Sequence, residues 1–397
     1  MKKKLLFVID SLRIGGGEKS LVSLLGLFDY EHFDVDLLLF ARGGEFEEYI
    51  PEQVNILPSI ESCNDICNKS ILSLIKCGQF SKALSRVRYS TAIRFLKKRM
   101  TARNRNQYLW KCFSGHIVEQ EEYYDVAIAY SQGIPTYYVV DKTRSRKKIA
   151  WINGYYNLSP DQIRFQNYYY TSLDHIVLVS ERVLDLFSTL YPSLQYKMTV
   201  IHDICNVDFI YLLSNKDSSD MDTHFPTLLT VARLDRYVKG YDLSAEACKI
   251  LKRRGVKFKW FIVGDGKDRE FLRNYIVENK LDDCLFLLGA KKNPYPYFKN
   301  CDIYIQTSRK EGWGISLVEA RAFNRPVVTT EFSAVWNQMI QMKNGIVTDF
   351  EPEHIADAIQ LLIEDKQVYS GIQHYQQNEK KGNVEEILKV YALIKDD

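Results

Sequence analysis

Short apolar strands alternating with helical patterns decide what this chain can fold into. From Thr227 onward the sequence predicts strand Thr227–Ala232, helix Gly240–Arg254, strand Lys259–Val263, helix Asp268–Lys280, and strands Cys284–Leu288 and Asp302–Gln306. A helix beginning near Gly314, strands Pro326–Thr329 and Gly345–Val347, and helices Pro352–Glu364 and Glu385–Ile394 follow. Continuous apolar strands joined through helices make a parallel sheet covered on both faces. A less regular string precedes them. It holds strands Leu5–Ile9, Val35–Phe40, Val126–Tyr130, Lys148–Ile152 and His175–Val179, with a glycine turn and a helix over 18–28 after the first. The polar run 214–224 breaks the pattern and predicts a linker over 214–226.

The expected architecture is α/β: two Rossmann-like, doubly wound parallel-sheet domains, 1–213 and 227–382, facing a central cleft. Ligands of such sheets bind outside the carboxyl ends of the strands. The last helix, about 383–397, is expected to pack back on the first domain. A chain of 397 residues suits two domains, and 46% hydrophobic residues suffice for a core in each.

Composition excludes several classes. No uncharged apolar run reaches 18 residues, so no membrane-spanning helix is expected. The start, MKKKLLFVIDS, imitates a signal peptide, but its apolar run stops at Asp10 and reads as a buried strand. Eight cysteines are scattered, and the nearest pair, Cys63 and Cys67, lacks zinc-site company. They read as reduced thiols of a cytoplasmic protein.

Net charge is only +3, yet residues 66–118 carry no acid and 12 Lys and Arg. Leu72, Ile75, Phe80, Ala83, Leu84 and Val87 recur there at roughly helical spacing. The segment 69–111 is therefore expected to meet an anionic membrane surface, against the alternative of a solvated helix packed on its own domain. No nucleic-acid module accompanies the charge, so nucleic acid is not expected as a partner.

The chemistry concentrates in SRKEGWGISLVEA, residues 308–320. Glu311 falls in a loop after a strand, and Glu319 in the second turn of the helix that follows. Gly312 and Gly314 let backbone approach a ligand, and a helix N-terminus favours phosphate. A carboxylate there suits sugar or ribose hydroxyls. A solvated or helix-capping Glu would leave the same trace, but Arg233 and Lys239 in VARLDRYVKG supply two cations at the same sheet edge. Such cations hold a diphosphate and stabilise its charge as it leaves.

Together VARLDRYVKG, FIVGDGKDREFL, NPYPYFKNCDIYIQTSRKEGWGISLVEA and KNGIV closely resemble the retaining glycosyltransferase family 4 of GT-B enzymes, related to bacterial capsule and cell-surface polysaccharide transferases. The resemblance is strongest over about 227–365. It implies a nucleotide-sugar donor, UDP- or GDP-linked, and a glycan or lipid-linked acceptor. It also implies no cofactor, no metal, and front-face attack in which the leaving diphosphate takes the acceptor proton. Arg233 and Lys239 match the diphosphate pair, and Glu311 the donor-sugar contact, assisted by backbone at Trp313, Gly314 and Ile315. Glu319 matches the ribose contact. Gly16 and Gly17 match the N-terminal glycine loop near donor and acceptor. Gly264 and Gly266, short of a full dinucleotide fingerprint, read as a turn lining the nucleotide pocket.

Two departures stand out. Ala232 replaces a usual glycine, and Asn153, in WINGYY, occupies the place of a usual histidine on the acceptor side. Asn can bond a hydroxyl but cannot carry a proton. Asp34 with Asp36, and Asp282 with Asp283, read as strand and turn carboxylates rather than metal ligands. Two rival readings stay open from sequence: a glycoside hydrolase using Glu311 and Glu319, and a catalytically silent nucleotide-sugar or glycan-binding scaffold.

Overall fold

The computed structural model describes residues 2–60, 70–96, 102–154, 158–222 and 224–395. The chain divides into two compact units, Met1–His202 with Glu385–Asp397, and Asp203–Val384.

The first unit is built on seven strands: β1 Lys3–Ile9, β2 Phe33–Leu39, β3 Asn55–Ile56, β4 Tyr123–Ala129, β5 Arg144–Ile152, β6 His175–Leu178 and β7 Met198–Val200. All pair in parallel, in the order β3-β2-β1-β4-β5-β6-β7. Leu5 to Val8 of β1 are fully buried, as a strand covered on both faces requires. From β1 the chain moves to β2 and β3 on one side, then returns to place β4 on the other. The switch point therefore lies between β1 and β4.

The second unit carries β8 Thr227–Val231, β9 Lys259–Val263, β10 Leu285–Gly289, β11 Ile303–Gln306, β12 Val327–Thr330 and β13 Ile346–Thr348. Their order, β10-β9-β8-β11-β12-β13, is again parallel, with its switch point between β8 and β11. Helix Tyr241–Arg253 turns Leu243, Ala247, Ile250 and Leu251 into a core shared with Trp260 and Ile262 of β9 and Ile355 and Ile359 of helix Pro352–Glu364. Both sheets match the expected doubly wound class.

Three details differ from the sequence reading. The division falls at 202/203, not within 214–226. Helix Val207–Ser214 already belongs to the second unit: the Tyr211 hydroxyl donates to the Ala322 carbonyl and the Asn293 amide to Leu213 O at 2.7 Å. The polar run is anchored rather than free, since Asp217, Asp220 and Asp222 bond Asn293, Tyr297 and Lys259. The first helix starts at Gly16 instead of residue 18 and ends at Leu25. Finally, β3 and β7 have two and three residues, too short to show a period.

Helix Glu386–Lys395 does return to the first unit. The Tyr391 ring stacks on Phe33 at 5.5 Å and meets Phe28 edge-on at 5.4 Å, while its hydroxyl accepts from the Asp29 N–H. Lys3 and Lys147 donate to the carbonyls of Ile394 and Leu393 near the helix's carboxyl terminus.

The basic stretch forms helices Ile71–Lys76, Phe80–Leu96 and Ala102–Phe113. Leu74 and Ala83 are buried, whereas Leu72, Phe80 and Leu84 are more than half exposed. Cys63 and Cys67 lie outside the described residues. The other six cysteines are free thiols. Among the described residues no helix is long and apolar enough to cross a membrane.

Candidate functional site

The switch point of the second sheet gathers the expected residues. Strand β8 ends at Val231 and delivers Arg233 two residues later. Strand β11 ends at Gln306, five residues before Glu311. Lys239 lies before the predicted helix Gly240–Arg254 and is itself helical. It closes a short helix, Arg236–Lys239, whose amino end is capped by the Asp235 carboxylate. Gly240 then reverses the chain with φ +66°. A Cβ on Gly240 would sit 1.9 Å from the Thr307 carbonyl oxygen, so only glycine lets Lys239 come this close to the end of β11.

Lys239 bonds both oxygens of Glu311, at 2.7 and 2.8 Å. Ser308 donates to the same carboxylate at 2.6 Å and the Gln306 amide at 3.2 Å. Glu311 is thus held in one orientation by three side chains. Arg233 is different. Its side chain is exposed, and among the described residues it makes no hydrogen bond or ion pair. Its positive charge helps hold Asp235 below the usual carboxylate range, behind burial, which acts the other way, and the bonds from Lys267 and the Val238 N–H. One cation at this edge is therefore tied to a carboxylate and the other is available.

Glu319 lies in helix Ile315–Ala322, opened by Gly314 at φ +87°. It is only 1% exposed, and the Tyr295 hydroxyl donates to it at 3.1 Å. A buried carboxylate needs such a donor. Trp313 is buried at the mouth of the helix, and its carbonyl accepts from the Gln338 amide.

The glycines expected to line the nucleotide pocket have a nearer task. A Cβ on Gly264 would lie 1.9 Å from Ala232 O, and one on Gly266 would lie 2.4 Å from Leu234 O. Both are spaces filled by the loop that carries Arg233. They seat that cation whatever else they touch.

In the first unit, Gly16 and Gly17 form the first turn of helix Gly16–Leu25. A Cβ on Gly17 would come within 2.9 Å of the Asn153 amide nitrogen, which donates to Tyr130 O at 2.9 Å. The Asn153 backbone N–H donates to Gln132 Oε1 at 3.0 Å. Asn153 therefore joins the ends of β4 and β5 beside the glycine turn, and its buried Oδ1 has no partner among the described residues. Tyr155 and Tyr156 of WINGYY lie outside the described residues.

Sequence reasoning missed Gly240, Gln306, Ser308 and Tyr295. Only Gly240 carried a signal, as a glycine directly after a helix. The others are recognised by what they hold. Among the described residues, no group of three or more His, Cys, Asp or Glu could hold a metal ion.

Residues 214–395 match the glycosyl transferases group 1 family. The matched part is a little under half of the chain. Among curated relatives, the amylovoran biosynthesis glycosyltransferase AmsK of Erwinia amylovora is 35% identical over 116 residues, 27% of this chain and 28% of the relative. The poly(ribitol-phosphate) alpha-N-acetylglucosaminyltransferase of Staphylococcus aureus is 28% identical, over 41% of this chain and 34% of the relative. The chain thus spans about a third of these relatives' length. Solved structures are similar along the whole chain. S. aureus TarM, in complex with fondaparinux, alpha-GlcNAc-glycerol and UDP, superposes with a TM-score of 0.68 at 13% identity, covering 100% of both chains. Anabaena HepE, with UDP and glucose, gives 0.67 at 19% identity, covering 98% of each. At these identities they establish the fold, which is GT-B.

Proposed function

We propose that the protein is a retaining glycosyltransferase that moves a sugar from a nucleoside-diphosphate sugar to a glycan or lipid-linked acceptor in cell-surface polysaccharide biosynthesis. The observation that carries this is the arrangement at the β8/β11 switch point. Arg233, exposed and without a partner among the described residues, follows β8, and a Lys239–Glu311 pair fixed by Ser308 and Gln306 lies past the end of the adjacent β11. Arg233 and Lys239 would bind the diphosphate and offset the charge that develops on it. Glu311 would accept from donor-sugar hydroxyls and Glu319 from the ribose. The solved neighbours' complexes with UDP support a uridine nucleotide first, with GDP as the alternative.

The proposed reaction uses no cofactor and no metal, with attack on the face the diphosphate leaves and the proton passing to that diphosphate. A hydrolase acid–nucleophile pair is disfavoured, because Glu311 is engaged by a lysine and two neutral donors and Glu319 is buried under Tyr295. Attachment to the cytoplasmic face of an anionic membrane through 69–111 belongs to the same proposal. Exposed Leu72, Phe80 and Leu84 near Lys76, Lys82, Arg86 and Arg88 support it.

A thermal-shift screen of UDP-, GDP- and ADP-sugars, repeated on Arg233→Ala and Glu319→Ala, tests the donor site. Stabilisation by one nucleotide family, lost in both variants, is expected. Equal shifts in wild type and variants would remove the assignment.

A further inference from the structure

The switch point of the first sheet carries a group that the donor chemistry leaves unused. Asp10 directly follows Ile9, the last residue of β1, and Ser131 lies two residues beyond the end of β4. The Ser131 hydroxyl donates to Asp10 Oδ2 at 2.9 Å, across the point where strand order reverses. The backbone on both sides is pinned: Ala41 N–H donates to Asp10 O, and Tyr130 N–H to Val8 O. Among the described residues no group bonds Asp10 Oδ1. On the other side of β4, the buried Asn153 Oδ1 likewise has no partner among the described residues.

We infer that the Asp10 carboxylate accepts a hydrogen bond from a hydroxyl of the acceptor substrate. This rests on the transferase reading above, with the acceptor in the first unit. Oxygen acceptors without donors select for hydroxyl-bearing ligands. A carboxylate at this edge also repels phosphate, which separates its role from that of Arg233 and Lys239.

The setting tunes the group. Asp10 is exposed at the surface, and desolvation by the protein packed around it still raises its carboxyl to about 6, against the bond from Ser131, which lowers it. The charged side chains of its own loop (Arg13), of helix Gly16–Leu25 (Glu18, Lys19) and of the segment after β2 (Arg42) are not among the causes of that shift. Protonation would turn an acceptor into a donor, so acceptor use should fall on the acid side of neutrality.

The test measures nucleotide release from UDP-glucose, UDP-N-acetylglucosamine, GDP-mannose and ADP-glucose, with octyl β-glucoside and with water alone, from pH 5 to 9. Asp10→Asn is expected to lose roughly 10- to 100-fold of turnover at pH 7.5 and the acid limb, while its Kd for the free nucleotide stays within about twofold of wild type. Ser131→Ala is expected to keep most of the plateau rate and to move the acid limb to higher pH, because a bond that lowers the carboxyl is gone. Wild-type rate and acid limb in Asp10→Asn would overturn the inference. So would a Ser131→Ala loss equal to that of Asp10→Asn at every pH, which marks a mere tie between strand ends. Loss of nucleotide binding in Asp10→Asn would overturn it too. A wild-type protein that releases no nucleotide anywhere overturns the transferase reading itself, and this inference with it.

Discussion

Lys239 and Glu311 grip each other through both carboxylate oxygens, so a diphosphate arriving at Lys239 competes with a charge already in place. Replacing Glu311 by Gln keeps the shape and removes that competitor. Free UDP, which has no sugar to lose contact with, is expected to bind Glu311→Gln at least as tightly as wild type. Turnover of the sugar nucleotide is expected to drop about 10-fold or more. Isothermal titration beside a rate assay checks this, and weaker UDP binding would show that Glu311 supports the phosphate site rather than opposing it.

Among the described residues Arg233 has no partner to abandon, so its removal separates binding from folding. Arg233→Ala should leave the melting temperature of the ligand-free protein within about a degree, since exposed unpaired charges contribute little. Its UDP affinity should weaken by about 1.5–3 kcal/mol, the worth of a charge-assisted hydrogen bond. A large drop in ligand-free stability would contradict the exposed, unpaired state described for it.

Gly240 and Gly264 make an opposite case. Each sits at positive φ with carbonyl oxygen 1.9 Å from where a Cβ would go. Alanine at either position is expected to cost more than about 2 kcal/mol and to displace Lys239 or the Arg233 loop. Chemical denaturation measures the first effect and UDP titration the second. An alanine variant of wild-type stability would refute the close approach.

His202 lies between Glu181 and Glu386, at 3.3 and 3.6 Å. Burial alone would lower its pKa, but the bonds to Glu386 and Glu181 outweigh burial and raise it. Burial likewise pushes Glu386 up, and bonds from His202 and Lys389 outweigh it and bring its carboxyl down to about 2. The histidine's contribution is complete below about 6.5 and fades as pH rises through its raised folded value. That of Glu386 is complete above about 4.5 and fades toward 2. Stability from this cluster should therefore peak between these limits. Denaturant midpoints from pH 4 to 9 check it, and His202→Asn should remove the alkaline fall.

The basic helices give a surface prediction. Co-sedimentation with vesicles of phosphatidylcholine and 30% phosphatidylglycerol should be strong at low salt and weak near 0.5 M. Leu72→Asp with Phe80→Asp should abolish it at any salt while nucleotide binding persists. Indifference to anionic vesicles would sink the membrane assignment.

Much of this was readable in the sequence, for reasons that differ by residue. The strands of the second unit announced themselves because both faces are buried, leaving unbroken runs such as FIV and IYI. Glu311, Glu319, Arg233 and Lys239 were legible as an ordered set around glycines. The domain division was misplaced because polarity suggested a free linker where Asp217, Asp220 and Asp222 are bonded to the second unit. Gln306, Ser308, Tyr295 and Asp10 left no pattern. Their meaning is a partner far away in sequence, and only folding supplies the partner.

The first unit is discontinuous: its Phe28–Phe33 surface is finished by Tyr391, more than 350 residues later. On the ribosome, strands β1 to β7 emerge long before the helix that covers them. Until residues 385–395 follow, that aromatic surface stays open to chaperones and to other nascent chains. Truncation before Glu385 should consequently betray itself first in solubility during synthesis, and only afterwards in nucleotide binding.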